Sequence, residues 1–395
     1  MAPTSPLPAI GSLLLAVATS WLIVKRFGVP AAQGRYGSID GMRGYLAFFV
    51  FLHHCGIWYF ALKTGHWTVP PSHLYTHFGE SSVALFFMIT GFLFFSKLVD
   101  GRTKKIDWGK LFISRFLRLV PLYVFVMLLL LVIVIYLSRG ILREPLPELI
   151  RGIAIWLGFT FLGNPDLNGV GATWLIVGGV TWTLPYEWFF YLSLPLLALT
   201  VNAKISLPYV ALGSASVAGL ALLWHPQIHL VYPFLGGIVA SFLVRSEAFR
   251  RFSARRASSY LVIACIGMTV AFFPTAFEVA PLICLSIAFA LVACGNDLFG
   301  LFVTPAARML GQISYSIYLL QGVTLFVTFR IVLGMTKVEI WSPATYWLVI
   351  LGITPILVAL SFATFRLIER PAMQSTITFT AWLRSCLTFR SDGRI

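Results

Sequence analysis

Residues 35–61 read RYGSIDGMRGYLAFFVFLHHCGIWYFA, and the fold follows from how this stretch has to be housed. From Gly41 to Ala61 the only charged residue is Arg43, and the only other titrating bases are His53 and His54. A helix of that length rises about 32 Å, close to the thickness of a bilayer's hydrocarbon core. Arg43 and His54 stand eleven positions apart, so at about 100° per residue they fall within roughly 20° of each other around the helix. About 16 Å of rise separates them. His53 points about 100° away from that face. Asp40 reads in two ways: as the N-cap of this helix, or as the carboxylate that holds Arg43 in place.

The remaining sequence is of the same kind. Of 395 residues, 58% are hydrophobic and 11% charged, where a soluble domain carries about 25% charged residues. So few charges cannot cover a soluble surface of this size, whereas lipid accepts apolar side chains. A net charge of +15 suggests nucleic acid until the basic residues are located. They sit in short loops between apolar runs, as in membrane proteins, so lipid and not nucleic acid is the expected partner. Four of the cysteines, Cys55, Cys265, Cys284 and Cys294, lie inside apolar runs, and together with Cys386 they form no CxxC. They read as small buried hydrophobes.

Eleven apolar segments can cross a bilayer: 9–24, 41–61, 78–98, 116–137, 181–200, 205–224, 229–244, 259–273, 278–295, 311–333 and 345–366. With 25–40 on the cytoplasmic side, the inner loops and tail hold 19 Lys and Arg against 5 outside. The positive-inside rule therefore puts the N-terminus outside and the C-terminus in the cytoplasm. No basic residue precedes the first segment and Lys25 and Arg26 follow it, the reverse of a signal peptide. The same parity makes 138–180 start and end outside, so Ile150 to Gly163 is re-entrant or an outer-face helix. Asn164 to Gly171 then either lines a cavity opening outward or is an ordinary surface loop. The expected fold is an all-α polytopic transmembrane bundle. Its expected parts are an added N-terminal span and linker (1–34), a membrane domain (35–373) and a basic cytoplasmic tail (374–395).

Ionisable groups inside spans are costly and therefore mark function by default. A buried histidine is held neutral and basic, which suits a general base at His54. A packing histidine bonded to a neighbouring helix is the equal alternative. Arg115 and Arg118 lie one turn apart on one face at the inner surface, level with Arg43. Their planar, permanently charged forks suit a nucleotide or pyrophosphate on the side where coenzyme A is found; otherwise they are positive-inside anchors. Glu187, flanked by Trp182, Trp188 and Tyr191, is a carboxylate about six residues below the outer face. It needs a partner, either a histidine or an acceptor hydroxyl; the aromatics also fit an interfacial belt. No GxSxG elbow, P-loop, HExxH or cluster of metal ligands is found, and no metal is expected.

Six pieces in order resemble the acyltransferase-3 family of membrane O-acyltransferases. They are Ile39 to Gly44 with His54; Val83 to Leu93; Arg115-Phe-Leu-Arg118 with Pro121 to Tyr123; Trp182 to Glu187 with Phe190 to Leu192 and Pro195; Gly311 to Leu319, which includes Tyr315; and Ile368-Glu-Arg-Pro371, which includes Glu369. Thr90 stands where the family often has Ser, and Gln321 where it often has His. The resemblance implies ten core spans, leaving 9–24 as the addition. It implies transfer of an acyl group, usually acetyl from acetyl-CoA, to a hydroxyl of a sugar or similar acceptor. By the same token, Arg43 and His54 match the family's Arg-then-His motif. The expected roles are His54 and Glu187 in catalysis and Arg43, Arg115, Arg118 and Tyr123 on the acyl-CoA. Asp40, Trp182, Tyr315 and Glu369 are expected in support. Glu187 is expected to orient His54 or the acceptor, a glycan or lipid-linked glycan at the outer side of a bacterial inner membrane. The rival class, a transporter or flippase of a lipid-linked sugar, predicts paired half-repeats, and none is found.

Overall fold

The computed structural model describes residues 2–29, 36–334 and 340–391, the last five by their backbone alone. Arg35, Lys337, Arg394 and the boundary placed at 34/35 lie outside the described residues. The described chain is helical throughout, with a single β-bridge between Leu167 and Val170. In order the helices are α1 Pro6–Phe27, α2 Gly37–Thr64, α3 His73–Asp100, α4 Trp108–Leu137, α5 Leu146–Leu157, α6 Thr183–Thr200, α7 Leu207–Trp224 and α8 Tyr232–Leu243. They continue as α9 Glu247–Ser253, α10 Arg256–Phe272, α11 Val279–Ala293, α12 Pro305–Gln312, α13 Ser314–Phe326, α14 Pro343–Thr364 and α15 Thr376–Ser391. Two π-turns, Val327–Val332 and Phe365–Glu369, extend α13 and α14.

A helix stands at each of the eleven apolar segments. Seven are long and apolar enough to cross a membrane, and an eighth crossing is possible where α8 meets α9 at a bend of 110°. Helix α2 is the hub, packed against α3, α12 and α13. Its contact with α12 is a backbone-to-backbone approach: a Cβ on Gly44 would lie 2.6 Å from the Gly311 nitrogen. Helix α1 lies outside this hub, against α12 and α14. Its start is tied down by Trp347 Nε1–H donating to the Pro3 carbonyl and by the Tyr75 hydroxyl donating to that of Ser5, each at 2.9 Å. Helix α7 buries only Gly213, which leaves an apolar surface suited to lipid.

Two expectations change here. Asp40 does not cap α2: the helix begins at Gly37, and Asp40 lies in its first turn, where the helix dipole favours a carboxylate. Of the two readings of Ile150–Gly163, re-entrant or a peripheral outer-face helix, the re-entrant one is not what the chain adopts. Helix α5 stays peripheral and buries only Gly152 and Trp156. Instead, two 3₁₀ turns, Thr173–Val177 and Val180–Trp182, run inside, joined by Gly178 and Gly179 at φ 63° and 70°. Gly178 abuts Gly322 in mid-α13, where an added Cβ would be 3.2 Å from the Gly322 Cα. One turn along α13, the Tyr318 hydroxyl donates to the Val180 carbonyl (3.0 Å) and pairs with the Thr183 hydroxyl (2.8 Å). The chain therefore descends along α13 before α6 begins, and α6 starts inside the bundle.

Candidate active site

Near the ends of α2 and α4 where Arg43, Arg115 and Arg118 sit, five helices (α2, α3, α4, α6 and α13) line a cavity of about 270 Å³. Helix α2 supplies Asp40 and Arg43, α4 supplies Arg115 and Arg118, α6 supplies Glu187 and Tyr191, and α13 supplies Ser314, Tyr315 and Tyr318. The arginines come together because Arg43 is one turn inside α2, and Arg115 and Arg118 share a face of α4 that packs toward it. The Glu187 carboxylate accepts a 2.9 Å hydrogen bond from the Tyr191 hydroxyl and shares the cavity with all three arginines. Arg115 lies over the Phe94 ring, 5.0 Å from its centroid. The fork of Arg118 reaches the Met373 sulfur at 3.0 Å. Three guanidinium groups and two acidic side chains line the space. Above this polar floor the wall is apolar, built from Val83, Phe86, Phe87, Ile89 and Leu93. A charged floor with an apolar shaft fits an anionic head on an apolar stem.

Glu369 stands behind the floor. It is fully buried, one oxygen accepts from the Ser316 hydroxyl, and its other oxygen has no hydrogen-bond partner. Its charge faces Arg118 and Arg43. It sits on a π-turn, a distortion often found at functional sites. Tyr315 contributes to the lining while its hydroxyl donates to the Leu119 carbonyl at 2.9 Å, tying α13 to α4.

His54 is elsewhere. It does not line this cavity, whereas Thr183 and Tyr318 do. Its Nδ1 is 2.9 Å from the Val50 carbonyl. A carbonyl can only accept, so Nδ1 carries the proton and Nε2 is left with the basic lone pair. Gly178 stands against the ring, where an added Cβ would lie 3.8 Å from its Cδ2, Gln321 is nearby, and Trp67 lies beside it with centroids 6.3 Å apart. Gln321 is fully buried; its Nε2 donates to the Tyr318 carbonyl at 3.2 Å, and its Oε1 has no partner. His53 is anchored separately, with Nδ1 2.7 Å from the Tyr75 carbonyl.

Asp40, Arg43, Arg115, Arg118, Glu187 and Tyr315 are thus brought to one cavity, with Glu369 behind it. Of the two partners expected for Glu187, His54 or the acceptor, His54 is not beside it; Glu187 is hydrogen-bonded to Tyr191 and shares the cavity with the arginines. Helix α6 begins inside the bundle, at Thr183, and this brings Glu187 among the arginines. Tyr123 is also away from the arginine cavity, fully buried, with its hydroxyl donating to the Trp156 carbonyl at 2.5 Å and its ring stacked on Phe159. Trp182 lines a different cavity. Residues that the reading of the sequence passed over are Thr183, Tyr318 and Gly178. The Gly178-Gly179 pair, between two apolar runs, was the one local signal for them. Among the described residues, no group of three or more His, Cys, Asp or Glu gathers as metal ligands would.

Residues 36–366 match the acyltransferase-3 family, described as an acyltransferase domain. Neither a curated protein nor a solved structure matches the chain.

Proposed function

Because the chain belongs to the acyltransferase-3 family, we propose that it moves an acyl group, acetyl above all, from cytoplasmic acyl-CoA to a hydroxyl of an extracytoplasmic glycan. O-antigen, capsule and exopolysaccharide are the acceptor class. On this reading all eleven apolar helices span a bacterial inner membrane, ten as the core and α1 as an addition, with the N-terminus outside and the C-terminus in the cytoplasm. The observation that carries the reading is the cavity where Arg43, Arg115 and Arg118 meet Asp40 and Glu187 beneath an apolar shaft.

The three arginines take the phosphates of acyl-CoA, and the thioester extends along the shaft toward Thr183 and Tyr318. Glu187 and Asp40 hold the guanidinium groups apart and oriented, so that they are not spread by mutual repulsion when the site is empty. His54 acts outside this cavity. Its Nε2 takes the acceptor's hydroxyl proton as that oxygen forms a bond to the acyl carbon. The carbon–sulfur bond breaks, and the imidazolium returns the proton to the leaving thiolate. The Val50 carbonyl keeps the productive tautomer. For the two substrates to meet, the Thr173–Trp182 segment must yield, because Gly178 lies between the shaft and His54. Mass spectrometry of surface glycans from cells with and without the protein, fed labelled acetate, tests the proposal. Label on a glycan only when the protein is present is the expected result; identical glycans overturn it.

A further inference from the structure

A second cavity, of about 690 Å³, opens beside the first turn of α6. We propose that it is a saccharide site that takes a pyranose ring of the acceptor; the inference rests on the glycan reading above and names where that glycan sits.

Its lining has the two chemistries a sugar needs. A pyranose presents axial and equatorial C–H bonds as an apolar face and hydroxyls around its rim. The apolar face is met by Trp224, Tyr186, Phe161 and Trp182. Trp224 is their centre, with ring centroids 4.5 Å from Tyr186 and 5.7 Å from Phe161. Trp182 stands edge-on to Tyr186 at 5.9 Å. The rim is met by Asn164 and Gln227, whose amides can each donate and accept. Their volume and mix of aromatic wall with a few polar groups are those of a small-ligand site.

The wall is also held in place deliberately. Phe159 and Thr160, leading into Phe161, both have positive φ (59° and 55°), a conformation non-glycine residues adopt at a cost. The backbone N–H of Gln227 donates to the Tyr186 hydroxyl at 3.2 Å, which ties that ring to a second residue of the lining.

Position then links this cavity to the arginine cavity. Thr183, Leu184 and Glu187 line the arginine cavity, whereas Trp182, Pro185 and Tyr186 line the second one. A single turn of α6 is the partition. Phe87 lines the arginine cavity and touches both Trp182 (6.4 Å) and Tyr186 (6.0 Å), so only a layer of aromatic side chains separates the two.

The test uses the full chain in nanodiscs and saturation-transfer NMR against the methyl glycosides of glucose, galactose, mannose, rhamnose and N-acetylglucosamine. Wild type should transfer saturation to at least one of these, strongest at the ring C–H protons. Trp224→Ala and the surface change Gln227→Ala should each weaken it by about tenfold, the worth of a lost aromatic face or charge-free hydrogen-bonded anchor. Binding of acetyl-CoA should be the same in all three proteins. No transfer to any of the five probes, or transfer that survives both substitutions, overturns the assignment. Sugar binding lost in the variants alongside an absence of labelled acyl transfer by wild type would support this site while refuting the acyltransfer reading.

Discussion

Replacing Gly322 by alanine tests the seat of the descending segment. A Cβ at Gly322 would lie 2.1 Å from both the carbonyl carbon and oxygen of Val177, and 2.6 Å from the Gly178 nitrogen. These are backbone atoms of a tight 3₁₀ turn, so they cannot rotate aside as a side chain would. The turn must retreat by more than 1 Å. Overpacking of this kind costs about 1–3 kcal/mol, and removing a glycine from a helix gives back roughly 0.5–1 kcal/mol. The net expectation is a loss of about 1–2 kcal/mol. Activity should suffer more, because Gly178 neighbours His54, and a misplacement of about 1 Å can cost roughly a hundredfold in rate. Thermal melting of the detergent-solubilised protein and acyl transfer from labelled acetyl-CoA read the two effects. Gly352→Ala is the control, since nothing lies within 4 Å of a Cβ there. Wild-type melting and wild-type turnover in Gly322→Ala would refute the backbone seat and, with it, the link from Gly178 to His54.

Other substitutions separate the donor floor from the chemistry. Arg118→Lys keeps the charge but loses the planar fork, so the KM for acyl-CoA should rise by about tenfold, corresponding to roughly 1.4 kcal/mol, with kcat little changed in a donor titration. Glu369→Gln removes a buried charge facing Arg118 and Arg43. It should lower stability by about 1–3 kcal/mol, seen as a fall in Tm, and acetyl-CoA should recover part of that loss by binding the arginines left in excess.

The positions of the helices were legible in the sequence because lipid imposes length and polarity together. The segment 41–61 read from the sequence falls inside α2, Gly37–Thr64, and the arginines expected at one level, Arg43, Arg115 and Arg118, line one cavity. The environment of Glu187 was not legible. Its depth depends on where α6 starts, and that start is set by Tyr318 and Gly322 on a helix more than a hundred residues later. The N-cap reading of Asp40 failed for a local reason: Gly37 and Ser38 let the helix begin a turn early. Gln321 looked like a lost histidine in sequence. In the structure it is a buried amide beside His54, with an unpartnered oxygen that only tertiary packing could bring there.

On the proposed function, His54 performs the transfer and the arginines only hold the donor. This is tested most directly by His54→Ala, assayed in nanodiscs for acetyl-CoA binding and for movement of labelled acetyl to glycan. The account predicts donor binding within about twofold of wild type, since His54 lies about 16 Å of helix rise from Arg43, and no labelled glycan. Labelled glycan formed by His54→Ala at the wild-type rate would contradict it.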